Sequence, residues 1–98
     1  MLFFILCTDK PHHGALRAAT RPAHLAHIQP LVDTGRLIIA GPIPSEASPD
    51  PSVAIEGSLI VAEFDTQTDA ETWAANDPYA LAGLFESVSV RPYRKALP

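Results

Sequence analysis

The sequence has a single cysteine, Cys7, among its 98 residues, and 7 lysine and arginine residues are outnumbered by 11 acidic ones, for a net charge of −4. One cysteine excludes an internal disulfide, and its place in an apolar run is typical of a small core residue in a reducing compartment. The acidic balance leaves no basic face for a phosphate backbone, and the basic-aromatic strand motif of RNA-binding sheets is missing. Nucleic acid is therefore not an expected partner.

Long apolar runs are missing as well. Residues 2–6 are apolar, but this stretch is too short to span a bilayer, has no basic segment before it and meets Asp9-Lys10-Pro11. It predicts a first strand in a cytoplasmic protein with no membrane partner. There is no glycine-rich phosphate loop, serine elbow or cysteine–histidine pairing, so nucleotide cofactors and acyl-enzyme chemistry have no support and no cofactor is expected.

The hydrophobic period changes several times along the chain, and the changes mark out secondary-structure elements. They predict strands at residues 2–8, 37–40, 58–64 and 84–93, and helices from about residue 15 to residue 35 and over residues 66–75. Gly41-Pro42 is expected to end the second strand, and the proline-rich segment from Pro42 to Gly57 predicts a surface loop bordering any pocket. The order βαββαβ predicts one domain, residues 1–98, with a ferredoxin-like α+β fold: a four-stranded antiparallel sheet with both helices on one face.

The main helix carries mixed signals. Thr20 is a candidate N-cap, Pro22 is tolerated in a first helical turn, and Gly35 is typical of a helix end. Pro30 removes a helical hydrogen bond, so a kink is expected there. An apolar stripe is predicted on one face of the helix at Leu25, Ile28 and Val32.

Two helices cover only one face of a four-stranded sheet, yet the first two predicted strands are apolar on both faces. Burial of apolar surface contributes about 25 cal/mol per Å², and two copies packed sheet against sheet would bury the second face. The sequence therefore predicts a homodimer.

Family-level signals lie in short segments spread over the chain: Met1-Leu2-Phe3, Arg21-Pro22-Ala23-His24-Leu25, Asp33-Thr34-Gly35-Arg36-Leu37, Ala40-Gly41-Pro42, Gly57-Ser58, Asn76-Asp77-Pro78-Tyr79 and Val88-Ser89-Val90-Arg91-Pro92-Tyr93. Each is weak alone, but in this order and spacing they resemble the YciI-like (YCII-related) proteins, small members of the dimeric α/β-barrel group. The resemblance covers essentially the whole chain. The sequence departs from the family pattern at Pro30, where related chains continue the helix with an ordinary residue.

The resemblance implies an active site built around a histidine–aspartate dyad, carried here by His24 and Asp77. One family member is a dehydrochlorinase acting on a chlorinated hydroxyhydroquinone, and the fold is similar to that of muconolactone isomerase. In such a dyad the carboxylate fixes the imidazole tautomer and supports the imidazolium, so His24 would be the general base or acid. The expected function is cofactor-free acid–base catalysis on a small-molecule substrate, such as an aromatic compound or a lactone, by dehydrochlorination or isomerisation.

Both dyad residues also have a purely structural interpretation. His24 borders the apolar stripe, where a hydrogen-bonded structural histidine is common, and Asp77 before Pro78 is a good N-cap for a short helix. The alternative function is a non-catalytic dimeric module that binds a small ligand or a partner protein through the same cleft.

Four further residues are candidates for substrate binding. Ser58 opens the third predicted strand, and Tyr79 could place a hydroxyl near a substrate. Arg17 and Arg21 could attract an anion, since guanidinium pairs well with carboxylate. The corresponding structural alternatives are a polar strand end, a packed tyrosine and a solvated helix face.

Metal binding is suggested only by histidine spacing. His24 and His27 are three residues apart on the main helix, and His12-His13 precede it. Zinc takes three or four organised ligands, and no acidic or thiolate partner has matching spacing, so no metal site is predicted.

Overall fold

The computed structural model describes residues 1–98. Its elements in chain order are β1 (Leu2–Asp9), α1 (Gly14–Asp33), β2 (Leu37–Pro44), β3 (Ile55–Glu63), α2 (Gln67–Ala75), α3 (Pro78–Leu81) and β4 (Phe85–Tyr93). The four strands form one antiparallel sheet in the order β2-β3-β1-β4. This topology confirms the predicted ferredoxin-like α+β fold, with the short helix α3 as an addition before β4.

Alternate residues of the two central strands build the core on one face of the sheet. Ile5 of β1 lies opposite Ile60 of β3, and both are fully buried because their side chains meet the helices. Helix α1 contributes Ile28 and Leu31 to this cluster, and α2 contributes two alanines. Both long helices therefore pack on the same face. No helix combines the length and apolar character that crossing a membrane requires.

Helix α1 differs from its prediction in where it begins. It starts at Gly14 and runs through both Pro22 and Pro30 to Asp33, so Thr20 lies inside the helix and the prediction of an N-cap there is wrong. Residues 14–19 include three alanines, a leucine and an arginine, all good helix formers, which extend the helix ahead of Thr20. The carbonyl of Pro30 accepts bonds from the backbone and hydroxyl of Thr34, and Gly35 follows at φ +70°.

The core-facing stripe of α1 is also displaced from the predicted one. Ile28 is buried as predicted, but Leu25 and Val32 are 44% and 49% exposed. The buried positions are Arg17, His24, Ile28 and Leu31. Arg17 and His24 are polar but buried, because each has a partner from elsewhere in the chain. Hydropathy alone does not detect such residues and therefore misplaces the stripe by one residue.

Strand β2 continues through Gly41-Pro42 to Pro44, so the prediction that these residues end the strand is wrong. The reason lies in the sheet order: β2 is an edge strand, and a proline without an N–H is tolerated where the N–H would face solvent. Pro42 pairs with Ser58 of β3. The predicted loop accordingly shortens to residues 45–54, and β3 begins at Ile55.

The other face of the sheet has no helix on it. Phe4 and Leu6 of β1 point to this face, opposite Val61 and Leu59 of β3. Ile39 of β2 shares the face and is 60% exposed. We call these five residues the outer apolar face.

Candidate active site

The structure brings His24 and Asp77 together although they lie 53 residues apart in the sequence. Nδ1 of His24 is 2.9 Å from both carboxylate oxygens of Asp77. Asp77 is only 1% exposed, and His24 is buried as well. Because a carboxylate accepts hydrogen bonds, Nδ1 carries the proton in the neutral imidazole, and Nε2 keeps its lone pair.

Asp77 also caps helix α3. Its Oδ1 accepts a hydrogen bond from the backbone N–H of Tyr79 at 2.9 Å, and Pro78 occupies the first helical position. The structural interpretation of Asp77 is therefore confirmed, and the same carboxylate serves His24. Capping holds the carboxylate in place against Nδ1 of His24.

Tyr79 lies against both the dyad and Arg17. Its ring stacks on the imidazole of His24 with centroids 4.0 Å apart, and Cζ of Arg17 lies 4.5 Å from its centroid. Burial raises the pKa of Tyr79 and outweighs the opposing effect of the positive charges on Arg17 and Arg21. The phenol therefore stays protonated at neutral pH and can donate a hydrogen bond.

Arg17 is bound in a fork to Asp9, a residue that the sequence analysis did not single out. Nε donates to Oδ2 of Asp9 at 2.7 Å and Nη2 donates to Oδ1 at 2.9 Å, while Nη2 also donates to Oγ of Ser58 at 2.8 Å. Burial alone lowers the pKa of Arg17, but the hydrogen bonds and charge of Asp9 more than offset this and raise it. The charge of Arg17 is therefore balanced by Asp9 and its side chain is held in place, whereas Arg21 makes no ion pair.

A cavity of about 200 Å³ opens between α1 and the sheet beside these groups. His24 and the four residues predicted to bind substrate (Arg17, Arg21, Ser58 and Tyr79) all line it. The apolar lining includes Leu25, Ile28 and Ile60, and Asp77 lies behind His24 outside the lining. The predicted site residues thus converge on one concave, partly apolar site.

Cys7 lies in the core beside this site. Its thiol is buried, and burial together with the negative charge of Asp77 raises its pKa to about 12. The thiol therefore remains protonated and unreactive at neutral pH, which confirms its prediction as a small core residue.

The histidines of α1 do not converge on a common ligand. Nε2 of His27 lies 2.9 Å from the backbone carbonyl of Trp73, and its ring stacks on that indole at 4.4 Å, whereas His24 binds Asp77. His13 lies near the carbonyl of Pro11. No three histidine, cysteine or acidic side chains come together in a way that could hold a metal ion.

Comparison with known proteins identifies relatives of this chain over most of its length. The chain is 47% identical over 96 residues to Protein YciI of Escherichia coli, covering 97% of this chain and 98% of that one. It is 38% identical over 79 residues, 76% of each chain, to Derivative of benzaldehyde biosynthesis cluster protein C of Emericella nidulans.

Among solved structures, 5-chloro-2-hydroxyhydroquinone dehydrochlorinase (TftG) from Burkholderia phenoliruptrix AC1100, in complex with 2,5-dihydroxybenzoquinone, is similar. The TM-score is 0.87 at 28% identity, over 96% of this chain and 94% of that one. The family model of the YCII-related domain matches residues 1–94. The chain therefore belongs to the YCII-related family.

Proposed function

We propose that this protein is a cofactor-free acid–base enzyme of small-molecule metabolism, in which His24 transfers a proton at Nε2 and Asp77 orients the imidazole. The observation that carries the proposal is the bond from Nδ1 of His24 to a buried carboxylate, made at the wall of a cavity. The carboxylate also stabilises the imidazolium that forms when His24 accepts a proton.

The chemistry requires few groups. Nε2 of His24 removes a proton from a carbon beside a carbonyl, or from a phenolic hydroxyl, and the released electron pair moves toward oxygen. Either a leaving group such as chloride then departs with its bonding electrons, or the proton returns to a different carbon. The first outcome is dehydrochlorination and the second is isomerisation.

The substrate class is supported by the relatives and by the lining of the cavity. The dehydrochlorinase from Burkholderia phenoliruptrix AC1100 was solved with 2,5-dihydroxybenzoquinone, a planar oxygenated ring. The cavity here pairs apolar residues, which suit a ring, with the side chains of Arg21, Ser58 and Tyr79, which suit its oxygens, while Arg17 supports Ser58. We therefore infer that oxygenated aromatic compounds or lactones are the substrates.

The test is a turnover screen of chlorinated and hydroxylated aromatics and lactones with the wild type and Asp77→Asn. Asparagine keeps an oxygen that can cap α3 but removes the charge that supports an imidazolium. We expect at least one compound to be converted, and a roughly 10²-fold or larger loss of kcat in the variant. Unchanged kcat in a folded Asp77→Asn would contradict the dyad mechanism.

A non-catalytic module that binds a small ligand or a partner protein through the same cleft is the second candidate. The observation that favours it is the capping bond of Asp77 to Tyr79, because this bond gives the carboxylate a structural role without catalysis. If calorimetry shows that compounds of the screen bind and none of them is converted, the non-catalytic module is the function that the data support.

We also propose that two copies pack through the outer apolar face to form a homodimer. Its support is the exposure of large apolar side chains such as Leu6, Ile39 and Leu59 on a face that no helix covers. Sedimentation at micromolar concentration should give twice the chain mass for the wild type and the chain mass for Leu59→Asp. A well-folded wild-type monomer would rule the dimer out.

We also propose that the protein is cytoplasmic. The support is Cys7, which is a free thiol with no second cysteine to pair with, as is usual in a reducing compartment. Fractionation of the native host would test this assignment, and recovery outside the cytoplasm would contradict it.

A further inference from the structure

The hydroxyl of Ser58 has a proton without an acceptor in the protein. Ser58 is 3% exposed and lines the cavity. Its Oγ accepts a hydrogen bond from Nη2 of Arg17 at 2.8 Å. A serine hydroxyl has one donor in addition to its acceptor sites, and this bond uses an acceptor site only. The space left for the hydroxyl to donate into is the cavity.

Arg17 strengthens this donor. A hydrogen bond from a guanidinium onto Oγ draws electron density from the hydroxyl, which makes its O–H a better donor, and this effect is larger inside a protein than in water. Asp9 accepts two hydrogen bonds from the guanidinium, of 2.7 and 2.9 Å. These bonds fix the orientation of Arg17 and therefore the direction in which it donates to Ser58.

Arg17 is partly committed to partners within the protein. Its Nε and Nη2 bind Asp9 and Ser58, which leaves Nη1 as the guanidinium nitrogen without a protein partner. Arg21 makes no ion pair and is exposed, so it can attract an anion to the cavity without fixing one atom of it. Ser58 and Tyr79 are the buried hydroxyls of the cavity, and Ser58 is the one whose oxygen accepts a hydrogen bond from the guanidinium of Arg17.

We propose that Ser58, supported by Arg17 and Asp9, donates a hydrogen bond to the substrate oxygen that becomes negatively charged when His24 removes a proton. The inference rests on the proposed function and narrows its substrate class to carbonyl and phenolic compounds that react through an enolate or phenolate. In the step, the electrons of the broken C–H or O–H bond pass to the substrate oxygen, and the proton stays on Nε2 of His24.

Preorganised donors of this kind stabilise developing charge strongly, because they need no reorganisation during the reaction. On a converted substrate, Ser58→Ala should therefore lower kcat by roughly 10²-fold. The same variant leaves Nη2 of Arg17 with its bond to Asp9, so the fork remains in place. Circular dichroism confirms that the variant is folded before any comparison is made.

A binding test separates this inference from the proposed function. The probes are 2,5-dihydroxybenzoquinone and a series of nitro- and halogen-substituted phenols, each ionised at the pH used, titrated by calorimetry. The wild type should bind the more basic phenolates more tightly, because a basic oxyanion accepts a stronger hydrogen bond. Ser58→Ala should bind 2,5-dihydroxybenzoquinone about tenfold more weakly and lose most of the dependence on basicity.

A second variant guards against a simple packing effect. Ser58→Cys, kept reduced because position 58 lies opposite Cys7, has a larger side chain than serine where alanine is smaller, and its thiol is a weak donor, so it should resemble Ser58→Ala in both readouts. If both folded variants bind like the wild type and turn over substrate normally, the role of Ser58 is wrong and the function of His24 stands. If the wild type binds none of the probes and converts nothing, both proposals fail.

Discussion

Helix α1 carries two histidines whose surroundings are alike in geometry and different in charge. His24 stacks on Tyr79 with centroids 4.0 Å apart, and His27 stacks on Trp73 with centroids 4.4 Å apart. Each also has a ring nitrogen 2.9 Å from an oxygen. For His24 that oxygen belongs to the carboxylate of Asp77, whereas for His27 it is the backbone carbonyl of Trp73.

The difference identifies what makes a histidine suitable for proton transfer in this fold. Both histidines stack on an aromatic ring and have a hydrogen-bonded ring nitrogen. These two features therefore result from the packing of α1 against the segment that follows β3 and do not distinguish the histidines. Only His24 has a charged partner, which stabilises the imidazolium, and only His24 lines the cavity. His27 therefore serves as a natural internal control for the proposed catalytic histidine.

The largest expected effect comes from removing each imidazole in turn, which tests whether the two histidines differ in function. His24→Gln should lower kcat/KM on a converted substrate by roughly 10²–10⁴-fold, because the proton acceptor is lost. His27→Gln should leave kcat/KM within about threefold and lower the unfolding free energy by about 1 kcal/mol, because it loses one bond to a neutral carbonyl. Steady-state kinetics and urea denaturation measure both quantities. Equal kinetic losses in the two variants would show that packing, not chemistry, links His24 to activity.

The fold and the pairing of His24 with Asp77 are both predictable from the sequence, but by different routes. The changes of hydrophobic period are local, so they predicted the order of strands and helices. The prediction of His24 as a dyad residue depends on the family resemblance, because its carboxylate partner is 53 residues away and no local pattern connects the two. Tyr79 was predicted as a substrate-binding residue, but its stack on His24 depends on the same long-range packing.

The remaining errors also have non-local causes. The continuation of β2 through Pro42 depends on its position at the sheet edge, which is a property of the whole topology. Asp9 was missed, although it follows Phe3, Ile5 and Cys7 at alternate positions of β1 and shares their buried face. A carboxylate in phase with a core face is a signal of a buried ionic partner, and here that partner is Arg17.

A second expected effect concerns the double role of Asp77, which the carbonyl partner of His27 does not share. Asp77→Ala removes both the cap of α3 and the partner of His24, and should lower the unfolding free energy by roughly 2–4 kcal/mol. Asp77→Asn keeps an acceptor for the N–H of Tyr79 and should cost about 1 kcal/mol less than alanine. Urea denaturation of both variants measures the difference.

A matched control for the cap exists at the start of α2. Oγ1 of Thr66 accepts a hydrogen bond from the N–H of Asp69 at 3.0 Å and binds no histidine. Thr66→Ala should therefore lower the unfolding free energy by about 1 kcal/mol, the value of a cap alone. If Asp77→Ala costs no more than Thr66→Ala, the bond between Asp77 and His24 adds nothing to stability.

The smallest expected effect is a difference in tautomer between His24 and His27, which can be measured without changing the stability of the protein. Nδ1 of His24 faces a carboxylate and Nε2 of His27 faces a carbonyl, and both partners only accept hydrogen bonds. The two neutral imidazoles should therefore be opposite tautomers, with the proton on Nδ1 in His24 and on Nε2 in His27. Long-range ¹H–¹⁵N correlation spectra distinguish the tautomers, and His24→Gln and His27→Gln assign their two signals among those of the four histidines. If His24 instead carries its proton on Nε2, its lone pair faces Asp77 and the atom proposed to accept the substrate proton is already occupied, so the acid–base role would have to begin with proton donation.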